Sequence, residues 1–409
     1  MEDSAEMLNA HKAHVEHHHQ VDGAAQQKAD AVLDACRWRD VSKLTRLAES
    51  SGGFLTDDLR RLAWPILLGL SLDSSSAEDA VGEQDYSEAS VAWTKLAPHR
   101  DEDQVQLDVN RSFIYYPNDK TDAQLDKCKS ELSCLIVEVL RRHPFLCYFQ
   151  GYHDICQVFL LVLQPAYRVP AVARLSILRI RDFMLPSLGP TTAQLKLLPD
   201  LLARANPRLR KHIATIEPFY ALAGTLTMYA HNIEAYRDIA RLFDVFLARE
   251  PVFTIYVFAQ IMINRQDEIL EIDETDMLQA VLARVPPNMD LDALICNAVG
   301  LFDKYPPESL PAWRRISSRS SLKTARDIAA CTDQTLEEGQ GFFEEQVQEV
   351  RWLEIRSRIF ATIWRYRRPI KAFGLAAAVA TVALYLRRSP SIIHYIMSVF
   401  NKGGKNPSY

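Results

Sequence analysis

A chain of 409 residues with 48% hydrophobic and 24% charged side chains is long enough for one large or two moderate globular domains with a sizeable core. Its net charge of −5 excludes the basic footprint of a nucleic-acid binder. The seven cysteines (Cys36, Cys128, Cys134, Cys147, Cys156, Cys296, Cys331) form no C-x-x-C pair and no even framework, so reduced thiols in a cytosolic setting are expected. Only 14 glycines and few alternating β-branched runs tilt the chain towards helix. Met1-Glu-Asp-Ser-Ala-Glu is acidic and has no apolar core, so no signal peptide is expected.

The first segment, 1–53, divides into a histidine-rich arm and N-terminal helices. His11, His14, His17, His18 and His19 crowd together, but no cysteine or carboxylate geometry pins a metal beside them, so a mobile polar arm is expected. Val32, Leu33, Cys36, Leu44 and Leu47 mark one amphipathic helix, or two short ones, over 24–50. The globular body starts at Phe54. Asp57 or Asp58 is placed to cap a helix carrying Arg60, Trp64 and Pro65, and Gly69 suits its end. Residues 71–88 are rich in serine and acid without apolar period and read as a loop.

Next comes Val105-Gln-Leu-Asp108-Val-Asn-Arg111, where a spacing of three lets the carboxylate hold the guanidinium on a helix. Tyr115-Tyr-Pro-Asn-Asp119 reads as a turn, and Leu125, Cys128, Leu132, Leu135, Ile136, Val139 and Leu140 predict a helix over 123–142. After Pro144 the stretch Phe145-Leu-Cys-Tyr148-Phe-Gln150-Gly151-Tyr-His-Asp154 runs from a polar mouth into apolar wall. Gln150 and Asp154 are four apart, on one helical face, and Gly151 removes side-chain bulk beside them, so an amide is offered where another molecule can approach. The same residues also fit an ordinary helix start with a solvated Gln150. His153 and Cys156 suggest thiol chemistry only weakly, since no third group orients them. Helical hairpins are expected over 169–184 and over 193–205, and a core helix over the twelve apolar residues 252–263, too few for a bilayer.

Three ordered pieces resemble the TBC domain of Rab GTPase-activating proteins. They are the arginine-tryptophan-proline helix from Arg60 to Gly69, Val105-x-x-Asp108-x-x-Arg111, and Tyr148-Phe-Gln150-Gly151. A fourth, Ala240-Arg-Leu-Phe243-Asp244, carries Phe243 where many relatives have tryptophan, and Tyr152 and His153 replace the usual methionine and asparagine. The resemblance covers roughly 54–305 and implies an all-α, TBC-type helical domain. It further implies that Arg111 is an arginine finger and Gln150 a glutamine finger, supplied in trans to a Rab in its GTP state. Asp108, Tyr148, Gly151 and Asp154 would support the fingers, while Arg60, Trp64, Gly69 and Asp244 would be structural. Such a protein has no cofactor of its own, acts on Rab-bound GTP and Mg, and performs no independent turnover. No G-x-S-x-G, P-loop or H-E-x-x-H motif offers a self-contained hydrolase. The competing class is a non-catalytic tether or effector that binds a Rab without stimulating hydrolysis.

The C-terminal third departs from the body. Segment 306–336, with five serines, Pro311 and four basic residues between Ser309 and Lys323, reads as a flexible linker. Segment 337–368 reads as a charged juxtamembrane helix, acidic early and basic late, with too few heptads to claim a coiled coil. The uncharged run 372–386 makes about 22 Å of helix, short of a ~30 Å bilayer core unless Lys371, Arg387 and Arg388 snorkel. On that basis 369–388 is read as a transmembrane anchor, followed by a short apolar and basic tail, 389–409, whose residues 391–400 lie in the interface or re-enter the membrane. Basic residues flank both ends, so charge does not settle the topology. The order of TBC body, linker and anchor resembles family members of the endoplasmic reticulum, which implies that organelle with the body in the cytosol.

Overall fold

The computed structural model describes residues 23–70, 93–117 and 120–388. The histidine-rich arm, the loop at 71–88, Asn118 and Asp119 of the expected turn, and the tail at 389–409 lie outside the described residues. Among the described residues every regular element is helical, with no strand. Two compact units divide the chain after Val347.

The principal helices of the first unit follow from local signals. Helix α1 spans 23–37, and α2 (Val41–Glu49) starts where the Asp40 carboxylate accepts the Lys43 N–H at 2.8 Å. Helix α3 (Asp57–Leu67) is capped by the Thr56 hydroxyl, not by Asp57 or Asp58. Those two aspartates occupy its first turn, where they bind Arg60 at 2.9 Å and Arg61 at 2.5 Å. Gly69 closes the helix at φ +75°, and a side chain there would run into the Thr332 carbonyl. Helix α4 (Glu102–Val109) precedes α5 (Asp122–Arg142), which opens on a reciprocal cap between Thr121 and Gln124. The apolar stripe of α5 packs on α6 (Tyr152–Val162), which is buried along almost its whole length.

Helix α7 (Pro165–Arg174) runs into a π turn (Leu175–Arg179) and then a 3-10 turn (Arg181–Met184), where a hairpin was expected over 169–184. No turn residue reverses the chain there. Instead Arg179 is buried and donates to the carbonyls of Leu247 at 2.7 Å and Leu67 at 2.6 Å. The second expected hairpin, over 193–205, is a pair of helices, α8 (Gly189–Leu195) and α9 (Leu197–Ala205), that meet at Lys196. Helix α10 (Tyr236–Ala248) packs on α2 and α3, and the apolar α11 (Phe253–Asn264) packs on α12 (Leu291–Lys304). Where α3, α6 and α10 meet, Trp64, Phe159 and Phe243 form a triangle with ring centroids 5.7 to 6.0 Å apart. Phe243 therefore fills the aromatic position.

Segment 306–336 is not a loose tether. Leu310, Trp313, Ser320, Ser321 and Leu322 are buried in the first unit. The reason is Asp182, whose buried carboxylate accepts from the Ser320 hydroxyl, the Ser321 N–H at 3.1 Å, Gln194 at 2.6 Å and Gln346 at 2.9 Å. Arg181, fully buried beside it, donates to Gln346 Oε1 at 3.1 Å. Two of the five serines that suggested flexibility, Ser320 and Ser321, are internal hydrogen-bond donors.

A single helix, α13 (Leu336–Arg388), covers both the charged segment and the expected anchor. Up to Val347 it belongs to the first unit, where Phe343 and Gln346 are buried. In the second unit, from Gln348 on, Trp352, Leu353, Ile359, Phe360 and Trp364 are exposed. Among the described residues no helix is long and apolar enough to cross a membrane. The anchor expected over 369–388 therefore gains no support as a span. Its backbone is helical throughout, and its side chains over 369–376 lie outside the described residues.

Candidate functional site

The end of α4 and the turn before α6 build one site. Arg111 lies two residues beyond α4, in the turn that ends it, with its N–H donating to the Asp108 carbonyl at 3.0 Å. Its side chain is 63% exposed, yet Nη2 donates at 2.6 Å to the carboxylate of Asp108, whose side chain is 0% exposed. A buried anchor thus aims a free cationic tip at solvent. Gln104 Nε2 donates to the same Asp108 oxygen at 3.1 Å, and the Tyr148 hydroxyl donates to the other at 3.0 Å. Both oxygens of Asp108 are engaged, which fixes the direction from which it holds Arg111.

Gln150 does not share a helical face with Asp154. It is exposed in the turn ahead of α6, because Gly151 stands at φ +99° as the N-cap residue and the helix begins at Tyr152. A Cβ on Gly151 would come within 2.5 Å of Thr227 Cγ2, so both the left-handed backbone and the close packing require glycine. The turn is pinned at its start by the Tyr148 N–H, which donates to Asp101 at 2.9 Å. Asp154, in the first turn of α6, binds His231 at 2.9 Å and lies 3.2 Å from His153 Nε2. Its hydrogen bond raises the His231 imidazole above the ordinary histidine value, whereas burial lowers that of His153.

The loop after Arg111 is held from below. Phe113 adopts φ +63°, its N–H donates to Gln157 Oε1 at 3.1 Å, and Gln157 Nε2 donates to the Tyr116 carbonyl at 3.3 Å. This leaves Ile114 and Tyr115 exposed beside Arg111, as is Leu107 on α4. Gln104, His153, Gln157 and His231 were not singled out as site residues from the sequence. Their hydrogen bonds to Asp108, Tyr148, Asp154 and the loop of Phe113 and Tyr116 mark them.

Arg60, Trp64 and Asp244 meet far from solvent. Arg60 donates through Nε and Nη2 to the two oxygens of Asp244, each at 3.0 Å. Trp64 Nε1 donates to Asp244 Oδ1 at 2.9 Å, and the Phe54 N–H donates to Asp244 Oδ2 at 3.0 Å. These residues join α3 to α10 and have no free surface for chemistry. The thiol of Cys156 is fully buried, which pushes its pKa up and removes it as a nucleophile. Among the described residues no group of three or more histidine, cysteine or acidic side chains is placed to hold a metal.

Comparison with known proteins identifies the family of the chain. The family described as Rab-GTPase-TBC domain matches residues 57–270. TBC1 domain family member 20 of Homo sapiens is 30% identical over 358 residues, covering 86% of this chain and 85% of the human protein. GTPase-activating protein gyp10 of Schizosaccharomyces pombe is 32% identical over 295 residues, covering 70% of this chain and 76% of that protein. The crystal structure of the Ypt/Rab-GAP domain of Gyp1p has the same fold, with a TM-score of 0.53 at 16% identity over 65% of this chain and 93% of that one.

Proposed function

This chain belongs to the Rab-GTPase-TBC family, and on that premise we propose that it accelerates GTP hydrolysis by a Rab GTPase with Arg111 and Gln150 supplied in trans. One observation carries the reading. An exposed guanidinium is held by a buried carboxylate, and the hydroxyl of Tyr148, two residues before the exposed Gln150, binds that same carboxylate. The two candidate fingers therefore sit on loops that share one anchor.

Phosphoryl transfer asks for neutralisation of charge on the phosphate oxygens and for an in-line water. The planar fork of Arg111 suits the first need, and its permanent charge costs no proton transfer. The Gln150 amide, with one donor end and one acceptor end, suits the second by holding the attacking water. Asp108 sets the direction of Arg111, and Gly151 lets the Gln150 turn lie against Thr227. GTP and Mg belong to the GTPase, and this chain contributes side chains alone. Leu107, Ile114 and Tyr115, exposed around Arg111, form an apolar rim against which the GTPase docks.

We further propose that the C-terminal part of α13 holds the body at the cytosolic face of the endoplasmic-reticulum membrane. Support comes from the uncharged run 372–386 in the sequence and from the exposure of Val379, Val382, Leu384 and Tyr385. The test of the activity is a single-turnover GTP hydrolysis screen of the protein against a panel of Rabs. Stimulation of one or more supports the reading. Binding to the GTP state with no stimulation replaces it with the tether.

A further inference from the structure

Helix α6 buries an amide in an apolar wall. Ile155, Val158, Phe159 and Leu160 are buried on either side of Gln157, which is itself only 4% exposed. An unpaired amide there would be costly, so its partners state its purpose. Both ends reach one loop: Oε1 accepts the Phe113 N–H at 3.1 Å, and Nε2 donates to the Tyr116 carbonyl at 3.3 Å. The reverse amide orientation would set donor against donor and acceptor against acceptor, so the partners fix this one. Phe113 holds φ +63°, a conformation that a bulky residue keeps only when its surroundings impose it. Phe113 and Tyr116 are buried, while Ile114 and Tyr115 between them are 72% and 45% exposed. The clamp closes on a two-residue apolar tip.

We propose that Gln157 is a positioning residue for recognition of the GTPase: by clamping Phe113 and Tyr116 it presents Ile114 and Tyr115 to an apolar patch of the partner. The inference rests on the GTPase-activating reading above. Arg111 is anchored separately. Its guanidinium is held by the Asp108 carboxylate and its N–H by the Asp108 carbonyl, and neither bond involves Gln157. The catalytic step and the docking step therefore hang from different side chains, although they share one loop. Loosening the clamp frees the tip to sample other conformations. The partner must then order it on binding, which weakens association without disarming the guanidinium.

The experiment is single-turnover hydrolysis by the GTP-loaded Rab that wild type stimulates most, with the full-length protein varied through saturation. Gln157→Met keeps the length and fills the site but gives the loop neither bond. Its half-saturating concentration is expected to rise by about five- to thirtyfold, the range of one good interface contact, while the saturating rate falls far less. Gln157→Glu keeps the acceptor for the Phe113 N–H and loses the donor to Tyr116. A smaller rise is expected from it, and it gives the same readout should the methionine variant fold poorly. Ile114→Ser with Tyr115→Ser should also raise half-saturation, and adding Gln157→Met to that background should raise it no further. A merely structural glutamine would lower the melting temperature and leave half-saturation alone in the folded variants, a result that overturns the proposal. So does a loss confined to the saturating rate, which ties Gln157 to Arg111, or an additive effect in the serine background. Failure of wild type to stimulate any Rab refutes instead the activity on which the proposal rests.

Discussion

Removing the Asp244 carboxylate tests whether the fold is tied at the place the structure indicates. In Asp244→Ala, Arg60 loses both bonds to Asp244 and keeps only its 2.9 Å contact with Asp57, while the Trp64 indole and the Phe54 N–H lose their acceptor. Breaking one side of a buried ion pair costs about 3–5 kcal/mol, because the remaining charge stays out of water. For a domain of this size each kcal/mol lowers the melting point by about 2–4 °C, so a drop of roughly 6–20 °C is expected. The assay is thermal and urea unfolding of wild type, Asp244→Ala, Arg60→Met and the double variant. The double variant is expected to lie above the sum of the singles, since it buries no unmatched charge. A loss under about 1 kcal/mol in Asp244→Ala, or strict additivity in the cycle, refutes the reasoning.

Gly151→Ala places a Cβ at a left-handed position and against Thr227, so about 1–2 kcal/mol of stability and most of the stimulation should go, read by unfolding and single-turnover hydrolysis on the same sample. His231→Asn removes an increment tied to a raised pKa. That increment is fully present below the ordinary histidine value and lost as pH rises through the raised one. The variant should therefore be less stable than wild type at pH 6 and equal to it at pH 9, by no more than about 1 kcal/mol since the ring is mostly exposed. Removing residues 369–409 should move the protein from a carbonate-washed membrane fraction to the supernatant with its stimulation intact. Retention of the shortened chain on membranes would contradict the anchor.

Helices with strong local signals were legible in the sequence. The stripe from Leu125 to Leu140 gave α5 within one residue, and the apolar run at 252–263 gave a buried α11. Readings failed where a distant partner decides the local structure. Ser320 and Ser321 look like linker until Asp182, far off in sequence, is seen to accept from both. Gln150 reads as helical by its spacing to Asp154, but Gly151 at positive φ, packed on Thr227, starts the helix after it. The motif residues Arg60, Trp64 and Asp244 were recognised by order alone, and their common purpose as one buried hydrogen-bonded centre is visible only in space. His231 carried no signal, because its meaning lies in its bond to Asp154, a carboxylate on another segment.

Substitution of the two fingers tests the central claim most directly. Arg111→Lys keeps a charge and loses the planar fork, and Gln150→Ala loses the group that holds the water. Neither side chain is buried, so unfolding should stay at wild-type values and the GTP-state Rab should still bind. An arginine finger contributes about 10³–10⁵ in rate. Single-turnover hydrolysis at saturating protein should fall by at least about 10²-fold for Arg111→Lys and by a comparable factor for Gln150→Ala. Hydrolysis at the wild-type rate by both variants would contradict the account and leave a Rab-binding tether in its place.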